Sequence, residues 1–168
     1  MHFDQGKSAM TSETLPMPED CNCLAVRQAA RHVTQFYDQC LAPSGLRTTQ
    51  FSILAKLKRI GPMTINALAA DLVMDRTTLG RNILPLQRDR LIDVVKGRAD
   101  RRSKELRLTE AGAERLNAAV KGWVEAQTQF EEVFGAKRTS ELRALLHAVS
   151  ASELGAAART AAEPEVSS

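Results

Sequence analysis

The sequence predicts a mainly α fold with a small β-hairpin, and three observations lead there. Apolar residues recur at three- and four-residue steps in most segments of the chain, the spacing of amphipathic helices. One short stretch, Leu91-Ile-Asp-Val-Val95, alternates like a strand and is answered by Glu105-Leu-Arg-Leu108, with Leu106 and Leu108 on one face. Between them lies KGRADRRSK, residues 96–104, with five cations and one acid in nine residues. Repulsion there costs free energy unless an anion offsets it, and a nucleic-acid duplex is the densest anion such a chain commonly meets.

Composition narrows the classes. At 168 residues and 43% hydrophobic, the chain suits one domain, or one small domain plus an oligomerisation element. Aromatic residues are only 4%, so aliphatic and alanine-rich helices must do most of the packing. The net charge of +3 is modest, but the basic residues cluster from Arg76 to Lys104. No run of about 18 apolar residues occurs, and the N-terminal residues lack the apolar centre of a signal peptide, so a cytoplasmic protein with no membrane partner is expected. Three cysteines, an odd number, argue against a secreted disulfide scaffold.

Residues 1–18 are polar, carry Pro16 and Pro18, and read as a flexible arm. Region 19–42 holds one helix with Cys23, Val26, Ala30, Val33, Tyr37 and Cys40 on a single stripe, ending at Ala42 before Pro43 and Gly45. A module follows over 46–109. Thr48 or Thr49 is placed to cap a second helix bearing Phe51, Ile53, Leu54 and Leu57, which Gly61-Pro62 stops. Thr64 caps a short helix with Ile65, Leu68, Ala69 and Leu72, and Asp75 caps another with Leu79, Ile83 and Leu86 inward. Pro85 removes one amide bond and crowds the carbonyl of Arg81, so a bend or an irregular last turn is expected.

Two short helices joined by a tight turn, the second rich in Arg and Thr, make the pattern of a helix-turn-helix, and a hairpin straight after it is a wing. In region 110–155 Thr109 caps a long helix with Leu116, Val120, Trp123, Phe130 and Phe134, broken after Gly135. Thr139 starts a last helix with Leu142, Leu145, Leu146 and Val149, and residues 156–168 form a flexible tail. The stripes of 19–42 and 110–155 have no place to be buried within the module, so the fold expected is a winged helix-turn-helix flanked by dimerisation helices.

Asp100-Arg-Arg102-Ser-Lys104 followed by Leu108-Thr109-Glu-Ala-Gly112 resembles the wing pattern D-x-R, then L-T-x-x-G, of the MarR family of dimeric bacterial transcription regulators. Leu68-Ala69 and Arg90-Leu91-Ile92 support the resemblance, with Arg90 standing where the family usually has glycine, and it spans roughly residues 20 to 155. It implies a homodimer on a pseudo-palindromic operator in double-stranded DNA, a repressor as the usual outcome, and a small-molecule effector, often an aromatic acid. It also implies that Arg102 enters the minor groove.

Candidate contacts follow. On the side of the fourth helix opposite Leu79, Ile83 and Leu86 stand Arg76, Thr77, Thr78 and Arg81. Arg81 is placed to meet guanine O6 and N7 with two bonds, and Thr77 and Thr78 suit phosphate or thymine-methyl contact. Arg98, Arg101 and Lys104 add phosphate attraction, and Asp100 orients the loop by pairing with a neighbouring arginine. The plainer reading of any such charged face is a solvated surface.

For the effector, Arg27, Arg31, His32 and Tyr37, with Phe51 on the second helix, offer a cation, a titratable donor and an apolar wall, though each also reads as ordinary surface or core. An alternative sensor is a thiol. If Asp20 caps the first helix, Cys21 and Cys23 lie in its first turn, where the helix dipole favours a reactive thiolate. Cys40 stands 17 residues beyond Cys23, about 25 Å along a helix, too far for a bridge within that helix. No zinc spacing, cofactor loop or convergent catalytic group appears, so no metal, no cofactor and no enzyme is expected. A non-sensory architectural DNA-binding protein is the remaining alternative.

Overall fold

A computed structural model describes residues 18–97 and 103–154, and the chain divides into two compact units after Phe36. In the first, a 3-10 turn over Pro18–Asp20 leads into helix α1 (Asn22–Leu41). The expected cap, Asp20, belongs to that turn. Cys21 takes its place: its Sγ accepts the Leu24 amide at 3.4 Å, and its carbonyl accepts the Ala25 amide at 3.0 Å.

The second unit begins in the last turn of α1 and contains α2 (Thr48–Ile60), β1 (Met63–Thr64), α3 (Ile65–Asp71), α4 (Arg76–Arg88), β2 (Ile92–Lys96), β3 (Lys104–Leu108), α5 (Glu110–Phe134) and α6 (Ala136–Ser150). A 3-10 turn over Ala42–Ser44 ends at Gly45, whose φ of +73° suits glycine. Neither threonine caps α2. Thr48 is its first residue, and both its amide and its hydroxyl donate at 2.7 Å to Asp38 of α1, ten residues upstream. Gln50 accepts the Arg47 amide at 3.0 Å. The cap is a tertiary one, supplied from outside the local sequence.

The helix-turn-helix forms from local signals. Thr64 accepts the Ala67 amide at 3.1 Å and Asp75 the Thr78 amide at 2.8 Å, so both expected caps are made. Each helix also closes with a Schellman pair. After α3, Met74 N donates to Ala69 O and Val73 N to Ala70 O; after α4, Leu91 N donates to Leu86 O and Arg90 N to Gln87 O. The motif requires a left-handed residue, and here these are Val73 at φ 52° and Arg90 at φ 56° rather than glycine. A β-branched residue there is a genuine outlier. Pro85 leaves α4 unbroken, and its last turn closes regularly, with Asp89 N donating to Pro85 O at 3.0 Å. The ring removes only the bond to Arg81 O.

The wing is a hairpin paired from Ile92↔Leu108 to Lys96↔Lys104. Leu91, expected in the strand, is buried as the last residue of the Schellman turn instead. A third strand, β1, pairs with the other edge of β3 to give the order β1-β3-β2; at two residues it is too short for alternation to show. Leu106 of β3 is fully covered and joins Ile53, Leu54, Leu68, Leu79, Leu86 and Ile92 in the core.

Thr109 caps α5 by accepting the Gly112 amide at 3.0 Å. Of the larger residues expected inward on α5, Leu116 is buried, together with the small Gly112, Ala119 and Ala126, whereas Val120 is 41% exposed and Trp123 37%. Close approach explains the difference, because a Cβ on Gly112 would stand 2.0 Å from Leu91 O and one on Gly122 2.3 Å from Cys40 O. Thr139 does not start α6. It lies a turn inside, buried, and its Oγ1 finds no partner among the described residues.

We expect Val73→Gly to raise stability by about 1 kcal/mol, since left-handed strain outweighs the added freedom of the unfolded chain. Gly112→Ala should lower it by roughly 2 kcal/mol or more, through overpacking against backbone. Urea unfolding of both variants checks this, and a loss of stability in Val73→Gly would reject the strain.

Candidate nucleic-acid interface

The interface is built on the start of α4. Asp75 holds the first turn, and its carboxyl lies below the usual carboxylate range because the Thr78 hydroxyl and then the Thr78 amide donate to it. The hydroxyl of Thr78 is thereby engaged in the cap. Leu79, Ile83 and Leu86 point into the core, and Thr77, Arg81, Leu84 and Arg88 are exposed on the opposite side; Arg76, expected there, is exposed at the helix start but stands three residues before Leu79 and seven before Ile83, on their side. Arg88 meets Asp89 at 3.0 Å on the surface, whereas Arg76 and Arg81 form no ion pair among the described residues.

The base of the wing continues this charge. Along β2 and β3, Asp93 faces Arg107 and pairs with it at 3.4 Å, a complementary rung. Three residues further out Lys96 faces Lys104, two like charges in register that destabilise the ladder unless an anion lies against them. Gly97 N closes the hairpin on Ser103 O at 2.9 Å. Arg98, Asp100, Arg101 and Arg102 lie outside the described residues.

Of the residues considered for an effector, Arg27, Arg31 and His32 are exposed on α1 before Phe36. Tyr37 and Phe51 meet a different set of neighbours. Phe51 stacks on Trp123 with centroids 6.0 Å apart, and Trp123 lines a cleft of about 490 Å³ with Gln127, Thr128, Glu131 and Arg143. Burial raises the Tyr37 hydroxyl above its ordinary value, while the nearby Arg143 guanidinium works against that rise. Arg143 lies 3.8 Å from Glu131. Its place depends on how α5 and α6 pack, which helical spacing does not report.

Cys21 and Cys23 are exposed. Burial, and then Glu125, push the Cys40 thiol up, which favours its protonated form. Among the described residues no group of three or more His, Cys, Asp or Glu side chains could hold a metal, and no helix is long and apolar enough to cross a membrane.

A capped helix with a basic outer face, preceded by a short helix and followed by a charged hairpin, defines a winged helix-turn-helix DNA-binding regulator. The MarR family model matches residues 46–104. The chain is 38% identical to the M. tuberculosis transcriptional regulator MosR in complex with DNA, covering 80% of this chain and 100% of that one at a TM-score of 0.68. It is 25% identical to the transcriptional repressor CouR bound to a 23-mer DNA duplex, covering 81% of this chain and 98% of that one at a TM-score of 0.70. The same fold, at 19% identity and a TM-score of 0.74, covers 83% of this chain and 100% of Bordetella bronchiseptica BpsR, a protein whose DNA binding is regulated by 6-hydroxynicotinic acid. No curated protein matches the chain. The chain belongs to the MarR family, whose members are transcriptional regulators and not enzymes.

Asp75→Ala should lower the melting temperature by removing the cap of α4. Because its carboxyl is lowered in the folded state, the stabilisation is present above the ordinary value of 3.8 and is lost as pH falls through the folded value. The melting gap between the two proteins should therefore stay constant through the neutral range and close only below that point. A gap that narrows near neutrality would place the effect elsewhere.

Proposed function

We propose that the chain is a homodimeric repressor that reads a pseudo-palindromic operator in double-stranded DNA and leaves it on binding a small aromatic acid. The observation that carries this reading is the exposed row Thr77, Arg81 and Arg88, opposite buried Leu79, Ile83 and Leu86, with exposed Arg76 at the helix start and the facing Lys96 and Lys104 beyond. A helix entering the major groove presents its first turns to the bases, and its free amides and dipole attract phosphate. Arg81 meets guanine with two bonds, and Thr77 and Thr78 contact phosphate or a thymine methyl. Arg102 enters the minor groove, Arg98, Arg101 and Lys104 hold phosphates, and Asp100 orients the loop. These contacts make affinity fall steeply with salt.

Val124, Leu145, Leu146 and Val149 of α5 and α6 are exposed apolar side chains that support burial against a second copy. A dimer sets two recognition helices about one helical turn of DNA apart, and seated over a promoter it blocks polymerase. An aromatic acid in the Trp123 cleft would find the Arg143 guanidinium and an aromatic wall backed by Phe51. The site shares its helices with the dimer surface, so occupancy would alter the spacing of the two DNA-binding modules. The 6-hydroxynicotinic acid response of BpsR supports a ligand of this class. Work on DNA also supports a cytoplasmic location. A thiol sensor is the second reading, favoured by the Leu24 amide donating to the exposed Cys21 Sγ. Under it, a hydroperoxide weakens operator binding and dithiothreitol restores it.

Fluorescence anisotropy on operator duplexes should show two chains bound per duplex. Arg81→Ala and Arg102→Ala should both weaken binding, with only Arg81→Ala relaxing base preference, by about 1–3 kcal/mol at one position. Equal loss on all sequences in both variants would reject the assigned roles. Thermal melting against a panel of phenolic and heteroaromatic acids should show stabilisation at millimolar concentrations that Arg143→Ala removes. No stabilisation by any of them would reject the acid effector.

A further inference from the structure

Two residues on the outer side of α4 are not explained by packing among the described residues. Gly80 lies inside the helix with φ in the ordinary negative range, and a Cβ built on it would meet nothing within 4 Å. Glycine at such a position weakens a helix relative to alanine, and nothing among the described residues requires it. Leu84, one turn on, is 64% exposed. It stands three residues from Arg81 and four from Arg88, so a large apolar side chain sits within the basic row.

The surrounding charge selects the occupant. A protein partner covering Leu84 would have to desolvate Arg81 and Arg88 as well. The major groove of duplex DNA presents phosphates to those cations and, at every thymine, an apolar 5-methyl group. Resting on the reading of α4 as the helix that enters this groove, we propose that Gly80 and Leu84 form an apolar notch that receives a thymine methyl group of the operator. Gly80 lets the base edge approach the helix backbone, and Leu84 closes over the methyl. The pair adds a preference for thymine beside the guanine preference of Arg81.

The test uses the full chain and duplexes that it enriches from a randomised library, with each thymine replaced in turn by uracil, which lacks only the methyl. At one thymine of each half-site, uracil should weaken binding about fourfold, the worth of one buried methyl group. Leu84→Ala should bind the thymine duplex more weakly than the parent and no longer distinguish thymine from uracil there. Gly80→Ala should melt at a higher temperature yet bind DNA several-fold more weakly, opposite signs that a folding defect would not produce. Equal binding with uracil at every thymine overturns the notch, as does a uracil penalty that survives in Leu84→Ala or an unchanged affinity in Gly80→Ala. A library with no enriched sequence overturns the operator reading itself and the notch with it.

Discussion

The backbone of Arg90 and Leu91 is the point on which the DNA-binding module depends. Four elements meet there. The Schellman turn ends α4, β2 starts at the next residue, the Thr109 amide donates to Leu91 O at 3.1 Å, and the Thr109 hydroxyl donates to Arg90 O at 2.8 Å. Gly112 then presses the first turn of α5 onto the same Leu91 carbonyl. The recognition helix, the hairpin and the long helix are thus tied through main-chain atoms, which have far less freedom than side chains. The wing pattern L-T-x-x-G gains a physical meaning: the threonine caps its own helix while bonding the loop, and the glycine permits the approach.

Charge is arranged on the same frame with a different logic at its two ends. Near the core, Asp93 and Arg107 oppose one another, and Lys56 pairs with Asp71 at 2.7 Å, so these cations are satisfied within the chain. Toward the tip Lys96 faces Lys104, and on α4 Arg76 and Arg81 extend outward. Exposed pairs contribute little to stability, so the distribution is better understood as a field offered to a partner than as a means of holding the fold.

The long helix shows a similar division between inside and outside. Apart from buried Leu116, its inward positions are small, Gly112, Ala119, Gly122 and Ala126, and most of its larger side chains remain at or near the surface. Small residues allow the backbones to approach within the chain, while Val120, Val124 and Val133 keep apolar area available.

Local chemistry made the winged helix-turn-helix legible in the sequence. The caps at Thr64, Asp75 and Thr109, the inward set Leu79, Ile83 and Leu86, and the alternation of the hairpin each depend on residues within a few positions of one another. The wing motif added the family, whose model matches residues 46–104. What depended on distant residues was not legible: the Asp38 cap on α2, the two-residue strand β1, the side of α5 that faces inward, and the meeting of Tyr37 with Arg143. The sequence by itself determined the helices and the hairpin, because helical and strand periods are properties of neighbouring residues. Only the tertiary structure decided which long-range groups meet, because those contacts arise from the packing of helices far apart in the chain.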